Sequence, residues 1–419
     1  MGARSRLTRR QIMAGAGLST AAALAGCGSS KPPPAASAPA TSAPGTAPAA
    51  TTSAPAGTAT PTKTPATKPS STAPAFNEAA LRRKVASLLV VGFRGEEVDS
   101  GDWIVKAIKN QGLGGVILFD IDQLTKKRRN IASPSQVKRL ISTLKAAASI
   151  PLIVSIDMEG GQIARLNPGD GFPATKSEAQ IGAANSPSET RSWAAGMANS
   201  MRSIGVNMDY APVVDLNLNT HNPAIAELDR SFSASVSVVV ENASEEITVM
   251  RAAGIKTSIK HFPGFGSATG NTDFGVVDVS KTWKPVELEP YKQLIAAGKV
   301  DSVLVTHLLN SQLDPARLPA SLSKPMITGE LRGKLGWKGP VVSDDMQAHA
   351  LTAKYGRAQA TGMALEAGMD LLVYCNQQVY DPDIVNETLD TVVGLVRGKH
   401  LSEAQIDASV ARVNTLRPK

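Results

Sequence analysis

Eight short apolar runs, amphipathic or alanine-rich stretches between them, and polar residues gathered where the runs end predict an α/β chain. The expected fold is a (β/α)8 barrel of TIM type with extra C-terminal helices. The runs are "SLLVVGF" (87–93), "GGVILF" (114–119), "PLIVSID" (151–157), "VNMDYAPV" (206–213), "IKTSIKHF" (255–262), "DSVLVTHL" (301–308), "PVVSDD" (340–345) and "DLLVYC" (370–375). They are continuously apolar rather than strictly alternating, which suits parallel strands buried on both faces. Helix candidates lie between them, among them "SPSQVKRLISTLKAAA" (133–148), "ETRSWAAGMANSMRSIG" (189–205) and "GRAQATGMALEAG" (356–368). The last stretch, residues 381–416, reads as two more helices on the outside and is too short for a second substrate domain. A doubly wound sheet is the alternative, but no G-x-G-x-x-G follows an early strand.

The barrel pattern starts at about Asn77, so the domain is placed at 77–419. Two different segments precede it. Residues 28–76 are almost all Ala, Pro, Ser, Thr and Gly, which cannot bury enough apolar surface to order themselves; they read as a disordered spacer. Residues 1–27 read as an export signal. Arg9-Arg10 resembles a twin-arginine signal, the apolar stretch is too short for a good membrane span, and "LAGC" (24–27) resembles a bacterial lipobox, in which Cys27 is lipidated. The expected location is therefore the cell envelope, lipid-anchored to the outer face of the membrane. The only other cysteine is Cys375, so acylation of Cys27 leaves no intrachain disulfide.

Charge narrows the choice of partners. The formal charge is +8, but residues 1–75 contribute seven of those charges and no acid, leaving the remainder at +1. A nearly neutral globular part gives no basic face for nucleic acid.

Asp157, Lys260, His261, His307, Asp344 and Asp345 all fall at the C-terminal ends of their runs. In a barrel that is the face where catalytic residues converge. A lone carboxylate after a strand is more often a helix cap, and a lone His more often a satisfied core residue, but four strand ends carrying such groups is a pattern. Lys260 and His261 open the glycine-rich stretch "KHFPGFGSATGNTDFG" (260–275), which carries one acid, Asp273.

These segments resemble motifs of glycoside hydrolase family 3, in the compact single-barrel type that includes bacterial β-N-acetylglucosaminidases of cell-wall recycling. The resemblance covers about residues 77–415. "SIDMEGGQIARL" (155–166) resembles SID-x-EGG-x-V-x-RL, and maps the family's sugar-binding Asp and Arg onto Asp157 and Arg165. "YAPVVDLNLNTHNPAIAELDRSFS" (210–233) resembles the segment from APV-x-D to RSF and supplies Arg230. "KHFPGFG" (260–266) resembles KHFPG-x-G, whose Lys260 and His261 are implied to bind hydroxyls. "VVSDDMQ" (341–347) resembles the nucleophile strand and makes Asp344 the nucleophile, with Asp345 turned away as a cap or support. His307 is a further candidate for sugar contact. The resemblance implies no metal and no organic cofactor.

One departure matters. The family's N-acetylglucosaminidases usually carry Asp-x-His after KHFPG-x-G, and that His is the acid/base. Here the three slots hold Asn271, Thr272 and Asp273, so Asp273 becomes the candidate acid/base, provided burial or Asp344 raises its pKa. The implied function is an exo-acting, monomeric β-N-acetylglucosaminidase that removes terminal GlcNAc from peptidoglycan-derived glycans through a glycosyl-Asp344 intermediate. A β-glucosidase-like hydrolase and a surface lipoprotein that binds glycans without cleaving them are the alternatives.

Overall fold

A computed structural model describes residues 76–419. The export signal, the spacer and Cys27 lie outside the described residues. Eight parallel strands close into a barrel: β1 (Leu89–Gly92), β2 (Gly115–Ile117), β3 (Ile153–Ile156), β4 (Met208–Asp209), β5 (Lys256–Phe262), β6 (Ser302–Val305), β7 (Val341–Asp345) and β8 (Leu371–Tyr374). Each strand pairs with its neighbours in sequence, and β1 closes the ring by pairing Leu89 with Leu372 and Val90 with Val373 of β8. Every one of the eight apolar runs contributes one strand.

The strands are shorter than the runs, for local reasons. β4 is only two residues long; Pro212, three residues on, has no N–H to donate, and beyond Asp209 the pairing continues through single backbone hydrogen bonds and the isolated bridge Val213–Lys260. After β3 the chain leaves the barrel as a small hairpin, Met158–Gly160 against Ile163–Ala164. Its turn needs two left-handed residues, and Gly160 (φ 86°) with Gly161 (φ 56°) supplies them.

The outer helices follow from capping and periodicity. In Pro134–Ala147 the Ser133 side chain accepts from the Gln136 N–H, Pro134 opens the first turn, and Val137, Leu140, Ile141 and Leu144 form the buried stripe. Pro187–Ile204 repeats the device with Ser186 and Pro187, and ends at Gly205 with φ 95°. The two expected C-terminal helices are Ile384–Arg397 and Glu403–Val413. Asp370, fully buried at the start of β8, holds the second of these: it accepts from Arg412 (2.7 Å), Ser409 (2.7 Å) and Arg332 (2.6 Å). Arg417 then donates to the carbonyls of Ser87, Gly114 and Pro151, so the chain terminus covers the N-terminal mouth of the barrel. The opposite mouth, where β1–β8 end, is left for the polar side chains.

Candidate active site

At the C-terminal rim the polar groups meet in pairs. Lys260, from β5, is buried and donates to Asp157 Oδ1 (2.9 Å) and Glu159 Oε1 (2.6 Å). Arg230 grips the same Glu159 at two points, Nε to Oε2 (2.7 Å) and Nη2 to Oε1 (2.8 Å). Burial pushes the Glu159 carboxyl up, but Arg230 and Lys260 outweigh it and hold the group well below the usual carboxylate range. The same carboxylates hold Lys260 and Arg230 above their ordinary values against burial. Glu159 and the two cations thus form the charged floor of the cleft.

Arg165 sits higher and looser. Its guanidinium is 3.8 Å from Asp157 and 3.8 Å from Asp120, and its buried Nε has no partner. Asp157 keeps 19% of its side chain exposed. These are groups with donors and acceptors to spare for a ligand.

His261 is fixed from two sides. Asp215 accepts from His261 Nδ1 (2.7 Å) and from the His261 backbone N–H (3.2 Å). Arg230 Nη2 lies 3.1 Å from His261 Nε2. A guanidinium only donates, so Nε2 is the acceptor and Nδ1 carries the proton. The glycine-rich stretch begins here. A Cβ on Gly266 would lie 1.8 Å from the Leu216 carbonyl oxygen, so this glycine permits close backbone approach. Ser267 then donates to the buried Glu287 (2.7 Å). The first half of the loop is therefore packed down, not free to fold over a ligand.

The second half carries Asp273. Asn271 accepts from the Asp273 N–H (2.9 Å), and the Ala350 N–H donates to the Thr272 carbonyl (3.1 Å), which pins this loop to the one after β7. Burial first, and then the charge of Asp344, push the Asp273 carboxyl up to about 6. Asp344 shifts the other way. Burial raises it, but His307, His261, the Asp345 N–H and Lys260 outweigh burial and bring it below its ordinary value. Asp345 Oδ1 accepts from the Gln347 and Cys375 N–H groups (3.0 Å each), so its side chain braces the ends of β7 and β8.

His307 requires a correction. It is fully buried, with Nδ1 2.7 Å from Ser321 Oγ and Nε2 2.9 Å from the Asp345 carbonyl. A carbonyl only accepts, so Nε2 donates and Nδ1 accepts from Ser321. Neither nitrogen is left for a sugar hydroxyl; His307 positions the end of β7 instead.

Sequence reasoning passed over Glu159, Asp215 and Asp120. Glu159 and Asp215 lie inside quoted motifs, and Asp120 is the residue just after the second apolar run, so each carried a signal. Among the described residues no cluster of three or more His, Cys, Asp or Glu is arranged to hold a metal ion.

Charged pairs able to exchange partners for hydroxyls, around two carboxyl groups with opposed proton affinities, are the apparatus by which proteins cleave glycosidic bonds. The chain belongs to glycosyl hydrolase family 3: the Glycosyl hydrolase family 3 N terminal domain matches residues 80–416. It is a glycosidase. A beta-hexosaminidase from Xanthomonas oryzae pv. oryzae is 32% identical over 339 residues, covering 78% of this chain and 92% of that protein. A family 3 beta-N-acetylglucosaminidase from Paenibacillus sp. str. FPU-7 superposes with TM-score 0.72 at 32% identity, over 80% of this chain and 62% of that one. A beta-N-acetylhexosaminidase from Beutenbergia cavernae DSM 12333 gives 0.70 at 28% identity, over 80% and 97%.

Proposed function

We propose that the chain is a retaining, exo-acting β-N-acetylglucosaminidase that removes terminal GlcNAc from peptidoglycan-derived glycans. The observation that carries the mechanism is the bond from the Ala350 N–H to the Thr272 carbonyl (3.1 Å), which brings the loop of Asp273 against the one that follows Asp344; burial and Asp344 raise the Asp273 carboxyl, while the groups around Asp344 lower it. Asp344, ionised, attacks the anomeric carbon while Asp273 gives its proton to the glycosidic oxygen, and the aglycone leaves as an alcohol. Asp273, now a carboxylate, takes a proton from water as the water oxygen displaces Asp344. Two displacements return the original anomeric configuration. Asp157, Arg165 and Lys260 hold hydroxyls, with the paired Arg230 and His261 beside them. The names of the relatives support the hexosamine; the buried floor of Glu159 and Lys260 suits a chain end.

The lipobox and spacer support an envelope location, with the enzyme anchored through Cys27. Muropeptides and cell-wall fragments are the substrates within reach there.

The test compares 4-nitrophenyl β-GlcNAc with 4-nitrophenyl β-glucoside, follows the anomer first released by NMR, and traps the enzyme with a fluorinated GlcNAc fluoride. Expected are preference for GlcNAc, a β-anomer and a label on Asp344. An α-anomer, or a label on Asp345, overturns the mechanism; preference for glucoside overturns the specificity; no turnover favours the non-catalytic binder.

A further inference from the structure

Asp273 also lines a groove of about 280 Å³. Three loops build it: Phe274 beside Asp273, then Gln347 and His349 after β7, then Gln378 and Val379 after β8. Phe274 is 69% exposed and Val379 43% exposed. Phe274 is not left out by a disordered loop, because its own N–H bonds the Asn271 carbonyl (3.1 Å) and its neighbours are pinned to Ala350. A fixed backbone thus presents an aromatic ring to solvent at the edge of the site.

We propose that this groove is the leaving-group subsite, and that Phe274 is the ring on which the leaving sugar stacks. The inference rests on Asp273 as the acid. A group that protonates the glycosidic oxygen stands between the two halves of the substrate. Near Asp273 are Asp344 and Arg230, whose charges act on its carboxyl, and His261. None of the three lines the groove. Its volume falls just below the roughly 300–1,000 Å³ that holds a drug-sized ligand, which fits a single pyranose ring. One apolar face of that ring meets Phe274 and Val379, while Gln347, His349 and Gln378 supply polar edges for its hydroxyls. The occupant is the second pyranose of the glycan. Selectivity among leaving groups then resides in Phe274, not in the charged floor.

The experiment measures kcat/KM for wild type, Phe274→Ala and Phe274→Tyr on two substrates: a GlcNAc-β-linked disaccharide and β-GlcNAc fluoride. The leaving fluoride is one atom and never reaches the groove. Phe274→Ala is expected to lose about tenfold on the disaccharide, the scale of one aromatic stacking contact. On the fluoride it stays within about twofold, and Phe274→Tyr restores the disaccharide rate. Equal losses on both substrates, or none on either, overturn the proposal. If the wild type accepts glucosyl substrates instead, the GlcNAc reading fails, and glucosyl fluoride with a β-linked glucose disaccharide puts the groove to the same test. If Asp273→Ala loses equally on both substrates while Phe274→Ala is selective, the acid assignment fails and the subsite stands.

Discussion

Arg230 holds Glu159 by two parallel hydrogen bonds, of 2.7 and 2.8 Å, while Lys260 approaches the same carboxylate to 2.6 Å. One buried anion is thus shared by two cations, of which Lys260 also pairs with Asp157. Glu159→Ala is expected to cost about 3–5 kcal/mol of stability, because it removes the carboxylate that Arg230 grips and leaves buried Lys260 with Asp157 alone. Glu159→Gln keeps an acceptor and should cost less. Urea unfolding of the three proteins measures this; an alanine variant as stable as wild type would show that the floor is not held by charge.

As the proposed acid, Asp273 is expected to set the alkaline limb of the pH profile. It loses its proton as pH rises through about 6, so kcat/KM should fall above that value. Asp344, lowered, places the acid limb below the ordinary aspartate range. In Asp273→Ala the alkaline limb should vanish. Rates on a sugar leaving group should fall by orders of magnitude more than rates on nitrophenolate, and azide should partly rescue the latter. Equal losses and no azide effect would make Asp273 a loop residue only.

Glu287 links the glycine-rich loop to stability. Burial raises its carboxyl to about 7, against hydrogen bonds from Ser267 and the Lys284 N–H that lower it. A raised acid is protonated more readily folded than unfolded. Its contribution is complete below the unfolded value near 4.5 and is lost as pH rises toward about 7. Glu287→Gln should flatten that slope in denaturation curves recorded from pH 4 to 8. An unchanged slope would place the titration elsewhere.

Cys27 tests the proposed location. The wild type is expected in the membrane fraction and Cys27→Ala in the soluble or secreted fraction. Identical fractionation of the two would remove the lipid anchor from the account.

The barrel was legible because strands buried on both faces leave continuous apolar runs, and all eight did. Asp157, Lys260, His261 and Asp344 were read from the strand ends and Arg165 and Arg230 from the motifs; the structure pairs Lys260 and Arg165 with Asp157, and Arg230 with His261. His307 was misjudged because its partners, Ser321 and the Asp345 carbonyl, come from distant sequence; a strand end shows where a side chain starts and not what satisfies it. Gly266 serves contact with Leu216, which no local pattern reveals. Asp120 escaped notice because its run was cut one residue short, and Asp215 because a loop carboxylate gives no periodic signal.

The bond from the Ala350 N–H to the Thr272 carbonyl couples two loops that sequence keeps almost eighty residues apart. One loop precedes Asp273 directly, and the other continues from the strand that bears Asp344. The proposed proton donor and nucleophile therefore share a mount, and a displacement of either loop changes the aim of both. Grafting one loop from a relative would misalign the pair even if every catalytic side chain were kept. These two loops of the rim have to be exchanged together.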